Sequence, residues 1–139
     1  MLSINFVAVI VAAIVAFIVG FLMHGPIAGK LWMRLANIVP TGKEKFSDMV
    51  PQMIWNFVAN IVIASVLYCV YAGALSSLYF NLTGVVAGIA CAFIVWLGFV
   101  ATMTSMDVIW MGKSFKLWLF DSISSLLVLV SIGIVIAIW

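Results

Sequence analysis

The side chains in this sequence that could do chemistry are few and scattered. His24 is the chain's one histidine, and the acids Asp107 and Asp121, the amides Asn56 and Asn60, and the hydroxyls Thr102 and Ser125 complete the set. An imidazole within reach of a carboxylate can pass a proton or hold one. A carboxylate among amides and hydroxyls can hold a cation. Asp121 is the sharpest of these residues, because it falls two turns inside a long apolar run, with Ser124 and Ser125 following at the next turn. A carboxylate at that depth costs at least ~2.5 kcal/mol by insertion scales unless it pairs or protonates. The sequence offers it His24, Lys116, the Asn56/Asn60 face, or water. Nothing else needed for catalysis is present: no nucleophile set, no Cys-X-X-Cys, no metal-ligand spacing and no nucleotide motif. No metal and no cofactor are expected, and enzymatic activity ranks last among the readings.

The elements that must carry these residues follow from composition. Hydrophobic residues make up 68% of the chain and charged ones 7%, with a mean hydropathy of +1.39. Soluble domains carry ~25% charged residues, so this chain cannot build a water-compatible surface. Four apolar runs, 4–23, 53–74, 84–104 and 117–138, each reach the ~20 residues that span a bilayer. The expectation is an all-α membrane protein: four transmembrane helices in a compact bundle, forming a single domain over residues 1–139. The first run lacks the basic start and small-residue cleavage site of a signal peptide. A net charge of +2 is too small to imply nucleic acid.

All six basic residues fall in two of the three connections. Lys30, Arg34, Lys43 and Lys45 lie between the first and second runs, Lys113 and Lys116 between the third and fourth. The connection 73–83 carries no charge. The positive-inside rule then puts loops one and three in the cytoplasm and both termini outside the inner (plasma) membrane. In that orientation His24, Asn56, Asn60, Thr102, Asp107, Asp121 and Ser125, drawn from all four runs, share the cytoplasmic half. They form a polar crevice, or a hydrogen-bonded network that sets helix register and binds nothing.

Loop one has its own pattern. Ile27, Leu31, Leu35 and Ile38 project to one side at helical spacing and Lys30, Arg34 and Asn37 to another, which predicts a short amphipathic helix in the headgroup layer. Gly25-Pro26 separates it from the first span, and Pro40 with Thr41-Gly42 closes it. Lys43-Glu44-Lys45 leads to Asp48 as the expected cap of span two, with Pro51 in its first turn. Ser114 is placed to cap span four. Tryptophans 32, 55, 110, 118 and 139 fall at span ends as interface anchors, whereas Trp96 lies mid-span. Leu78, Tyr79 and Phe80 are expected at the outer interface, and Asn81-Leu82-Thr83 matches the short glycosylation sequon. Cys69 and Cys91 read as small apolar packing groups.

Small residues recur every fourth position in two runs: Ala8, Ala12, Ala16 and Gly20 in the first, Gly84, Gly88 and Ala92 in the third. Such stripes let helix backbones approach closely in lipid, and the simplest pairing sets one stripe against the other.

The run Trp96-Leu97-Gly98-Phe99-Val100-Ala101-Thr102, with Lys116-Leu117-Trp118-Leu119-Phe120-Asp121 after a short loop and Gly29-Lys30-Leu31-Trp32-Met33 near the start, resembles a family of small bacterial four-helix membrane proteins, domain of unknown function 1761. The resemblance covers nearly the whole chain and implies the four-span architecture; it implies no activity. Family members often carry an aromatic residue where this chain has His24, which argues against a catalytic role there. Three classes of function stay open. One is a structural or interaction protein, a homo-oligomer or an accessory subunit of a larger membrane complex. Another is a small transporter or ligand-binding protein using the crevice around Asp121. The third is a membrane enzyme acting on a lipid or quinone. Membrane lipid is the partner common to all.

Overall fold

A computed structural model of the chain describes residues 4–43, 45–76 and 82–139. The expectations for Glu44, for the Leu78-Tyr79-Phe80 stretch and for Asn81 lie outside the described residues. The order is α1 (Phe6–Leu22), a π-helical turn (Met23–Ile27), α2 (Gly29–Leu35), α3 (Phe46–Ser76), α4 (Gly84–Val95), a second π-helical turn (Trp96–Ala101), α5 (Thr102–Met111) and α6 (Phe115–Ile138). Among the described residues, Phe6–Ile27, Phe46–Gly73, Gly84–Met111 and Phe115–Ile138 are each long and apolar enough to cross a membrane. Helix is the form that satisfies every backbone group within its own segment when no water is at hand.

Helix ends explain where the apolar runs and the helices differ. Asn5, just inside the first apolar run, caps α1: its Oδ1 accepts from the backbone N–H of Val7 at 3.1 Å and of Ala8 at 3.3 Å. The amphipathic helix is shorter than its sequence pattern, because Asn37 adopts a left-handed conformation (φ 54°). The Ile38 N–H then reaches the Met33 carbonyl and the Asn37 N–H the Arg34 carbonyl, which is a Schellman termination. Pro40 is not needed to stop it. Span two starts well before its apolar run. Asp48 sits inside its first turn rather than before it, its Oδ2 accepting from the Lys45 N–H at 3.3 Å, the back-reaching half of a capping box. Pro51 therefore lies beyond the first turn. Ser114 takes the cap position of α6, but its side chain makes no capping bond.

Packing departs from the expected pairing of stripes. The four spans stand in the order of the chain around the bundle, so that α1 packs against α3 and α6, and α4 against α6 and, less extensively, α3. Spans one and three are diagonal. Ala8, Ala12 and Ala16 are each fully buried, and Gly20 faces Val128 of α6. The stripe of α4 meets α6, where a pair of small residues at the same spacing, Gly133 and Ala137, receives it. A Cβ built on Gly88 would strike the carbonyl of Gly133 and come within 2.8 Å of the Ala137 Cβ. One built on Gly133 would strike the Gly88 carbonyl and lie 3.2 Å from the Ala92 Cβ. The two backbones touch, glycine on glycine. Gly84 takes no part in this crossing; it is exposed and starts α4 at φ 58°.

The core joins Val9, Ala12, Ala16, Ala64, Leu67, Ala92, Leu129, Ile132 and Ile136. Outside it, Val58, Val62, Val66 and Val70 form an exposed apolar ridge along α3, a face that needs lipid as its solvent. Cys69 and Cys91 are both free thiols.

Candidate functional site

The polar groups gather where the first π-helical turn, α5 and the start of α6 meet. The chain kinks at Gly25 (φ −117°, ψ −107°) and Pro26, and α2 folds back until Gly29 lies on the His24 carbonyl. A Cβ there would sit 2.6 Å from that oxygen. This fold-back fixes His24. Its Nδ1 lies 3.1 Å from the Gly20 carbonyl, and since a carbonyl only accepts, Nδ1 carries the hydrogen. Nε2 therefore faces Asp121, 3.7 Å from Oδ1. That approach is attractive when a proton sits on Nε2 or on the carboxyl. Trp32 of α2 and Phe120 of α6 meet the imidazole edge-to-face, at centroid distances of 5.3 and 5.6 Å. Of the partners the sequence offers Asp121, the fold brings His24.

Gly29→Ala must push on the His24 backbone. It should cost ~1–3 kcal/mol, as overpacking does, in denaturant titrations of the detergent-solubilised protein. Gly98→Ala, whose Cβ meets nothing within 4 Å, should stay within ~0.5 kcal/mol of wild type.

Beside Asp121 a cavity of about 320 Å³ opens between α5 and α6. Its far wall is apolar, made by Val100, Leu117 and the Trp118 ring. At the mouth, Lys113 Nζ donates to Asp107 Oδ2 at 2.6 Å, while Gly112 (φ 66°) ends α5 and turns the chain into α6. Trp118 Nε1 donates across the helices to Thr104 Oγ1 at 3.0 Å, and Thr104 in turn donates to the Val100 carbonyl at 2.7 Å. Asp121 lines the cavity with its side chain half exposed. Ser122 and Ser125 complete the lining.

Ser122 is the junction of this end of the bundle. Its carbonyl accepts from Trp96 Nε1 at 2.8 Å and from Ser125 Oγ at 2.9 Å. Its own hydroxyl is buried with no hydrogen-bond partner, in a residue 4% exposed. A mid-helix serine ordinarily bonds back to a carbonyl of the preceding turn, and this one does not. The second π-helical turn carries Trp96, and it coincides with the tryptophan-led sequence run described above. Single π turns inside α-helices recur at functional sites.

The expected crevice residues thus divide. Asp107, Asp121 and Ser125 line the cavity, and His24 stands against Asp121 without lining it. Asn60 donates from Nδ2 to Asn56 Oδ1 at 2.9 Å, so the two amides of α3 serve each other away from the cavity. Thr102 spends its hydroxyl on the Gly98 carbonyl at 2.6 Å and is exposed. Ser122, Lys113 and the cross-helix bonds of Trp96 and Trp118 were not legible as site features. The one signal for them is the helical spacing of Trp118, Ser122 and Ser125 along α6.

Fold and site together define an all-helical, four-span protein with a cavity of mixed polar and apolar lining at one end of its bundle. The sequence matches the family described as "Protein of unknown function (DUF1761)" over residues 7–137, and the chain belongs to that family. No curated protein and no solved structure matches it.

Proposed function

We propose that this chain is a multi-pass protein of a bacterial inner membrane that binds a small polar ligand in the cavity beside Asp121, as a carrier or a sensor. The observation that carries this reading is a cavity lined by the Asp121 carboxylate and by Ser122, whose buried hydroxyl has no partner among the described residues. An unsatisfied buried hydroxyl costs ~1–3 kcal/mol, a cost that a ligand hydrogen bond would offset. A volume of about 320 Å³ sits at the small end of ligand sites, ~300–1,000 Å³. The reading the sequence alone ranks first, a structural or interaction protein that oligomerises or serves a larger complex, draws on the small-residue stripes, the absence of catalytic spacing and the minimal loops. Those stripes are spent on contacts within the chain, α1 on α3 and α6, and α4 on α6.

The basic residues of loops one and three support, by the positive-inside rule, a cavity that opens to the cytoplasmic face. The test uses single cysteines in a chain with Cys69 and Cys91 changed to alanine. Ser125→Cys should react with a charged methanethiosulfonate in inside-out vesicles and not in right-side-out ones. Ile123→Cys, on the exposed apolar side of α6, should be inert from both sides. Equal inertness of the two positions would refute an aqueous binding site, and labelling of Ser125→Cys from the outside alone would reverse the orientation.

A further inference from the structure

We infer that the ligand of this cavity is a protonated primary amine with a small apolar body; the inference rests on the cavity being a ligand site. Hydrogen-bond accounting carries it. Most of the side-chain donors at the site are already committed. Trp118 Nε1 goes to Thr104, Thr104 to the Val100 carbonyl, and Trp96 Nε1 and the Ser125 hydroxyl both to the Ser122 carbonyl. Lys113 is held by Asp107.

Beside the Ser122 O–H and the remaining N–H groups of Lys113, what is left is mainly acceptors. The Asp121 carboxylate has an imidazole 3.7 Å from one oxygen, the Ser122 hydroxyl has no partner, and Ser125, donating through its hydrogen, keeps its lone pairs. A wall of free acceptors selects a ligand rich in donors, and an ammonium head brings three.

Charge points the same way. Asp107 and Lys113 cancel at 2.6 Å. Asp121 brings the cavity one negative charge, which a proton on His24 Nε2 balances in the empty site and a bound monocation can balance in its place. The apolar part of the lining, Val100, Leu117 and the Trp118 ring, offers little polar replacement for lost water. It suits a hydrocarbon body, and the indole face adds attraction for a cation. A bare metal ion fits poorly. Hard cations take six or more oxygen ligands, and among the described residues no group of three or more His, Cys, Asp or Glu could hold one.

The test titrates the full chain in detergent with four probes of one shape: 2-phenylethylammonium, its N,N,N-trimethyl analogue, 2-phenylethanol and 3-phenylpropionate. Binding is followed by saturation-transfer NMR. The primary ammonium should bind at least about tenfold more tightly than each of the others, the ratio expected for a site left with unpaired polar groups by the wrong ligand. Asp121→Asn should weaken it roughly 30-fold or more, as loss of one partner of a charge pair does. Ser122→Ala should weaken it by a smaller factor, and Ile123→Ala should leave it unchanged.

Several results would overturn the assignment. Equal or tighter binding of the trimethyl analogue would mean that N–H donation is not read. Preference for the alcohol would remove the charge argument, and preference for the carboxylate would point to the unpaired N–H groups at the start of α6. In each of these cases loss of the bound probe in Ser122→Leu would preserve the cavity as the site. Absence of binding by all four probes would refute the amine, while the cysteine labelling of Ser125 decides separately whether the cavity is a site at all. The wild-type ranking needs no variant to fold.

Discussion

Gly88→Ala is expected to destabilise the bundle by ~2–3 kcal/mol, and Gly88→Leu by more than any conservative substitution elsewhere in it. A single methyl on Gly88 collides with a backbone carbonyl of α6 and with the Ala137 methyl. A carbonyl cannot rotate aside as the tip of a side chain can. The helices must separate, and each ångström of separation gives up dispersion contacts along α4 and α6 that nothing in lipid replaces. Gly133→Ala should cost a similar amount, because its Cβ would meet the Gly88 carbonyl in the same way. The double variant should cost less than the sum, since the first methyl has already opened the crossing. Gly20→Ala is the control: its Cβ would lie 3.8 Å from Val128 Cγ2, an ordinary contact, and its effect should stay within ~0.5 kcal/mol. Denaturant titration in detergent measures all five. Equal tolerance at Gly20, Gly88 and Gly133 would disprove the crossing.

This contact shows where sequence reasoning stops. The four-residue spacing of Gly88 and Ala92 announces a close approach, but a stripe names no partner. Gly133 and Ala137 carry the same spacing near the end of α6, but a pair is a shorter signal than the stripe of α1, and the longer stripes drew the pairing away from it. The spans were legible because lipid permits so few backbone solutions. Their ends were less so, since Asn37 and Asp48 act through local backbone geometry that overrides the hydrophobic pattern. Asp121 announced itself by its depth, and His24 was among the partners open to it. Ser122 did not, because a serine in a helix is satisfied by its own backbone far more often than not. Asn56 and Asn60 misled for the converse reason. One helical turn apart, they form a local pair that needs no third partner, and so they were drawn into a crevice whose lining does not include them.

Insertion of one alanine after Gly98 should dismantle the cavity, while Gly98→Ala and deletion of Gly98 leave it intact. A π-helical turn holds one residue more than the α-helix it interrupts, and Trp96–Ala101 is such a turn. Gly98 lies inside it, exposed, with open space where a Cβ would be. Changes there therefore break no side-chain packing of their own. Deletion turns the π turn into a regular α-helical one and keeps every downstream residue on its face. A second extra residue has no such outlet: it rotates everything downstream by about 100° and shifts it by ~1.5 Å. Upstream, α4 stays anchored to α6 by Gly88 on Gly133. Downstream, Thr104 turns away from Trp118, and Asp107 away from Lys113. The Trp118–Thr104 bond supplies the readout. In the intact chain Trp118→Phe should cost ~0.5–1.5 kcal/mol, the net worth of one such bond, whereas in the chain with the insertion it should cost nothing. Their coupling in a double-mutant cycle isolates register from general damage. A full Trp118→Phe penalty in the chain with the insertion would mean that α5 keeps its face toward α6 despite the added residue, and that the π turn does not set the site.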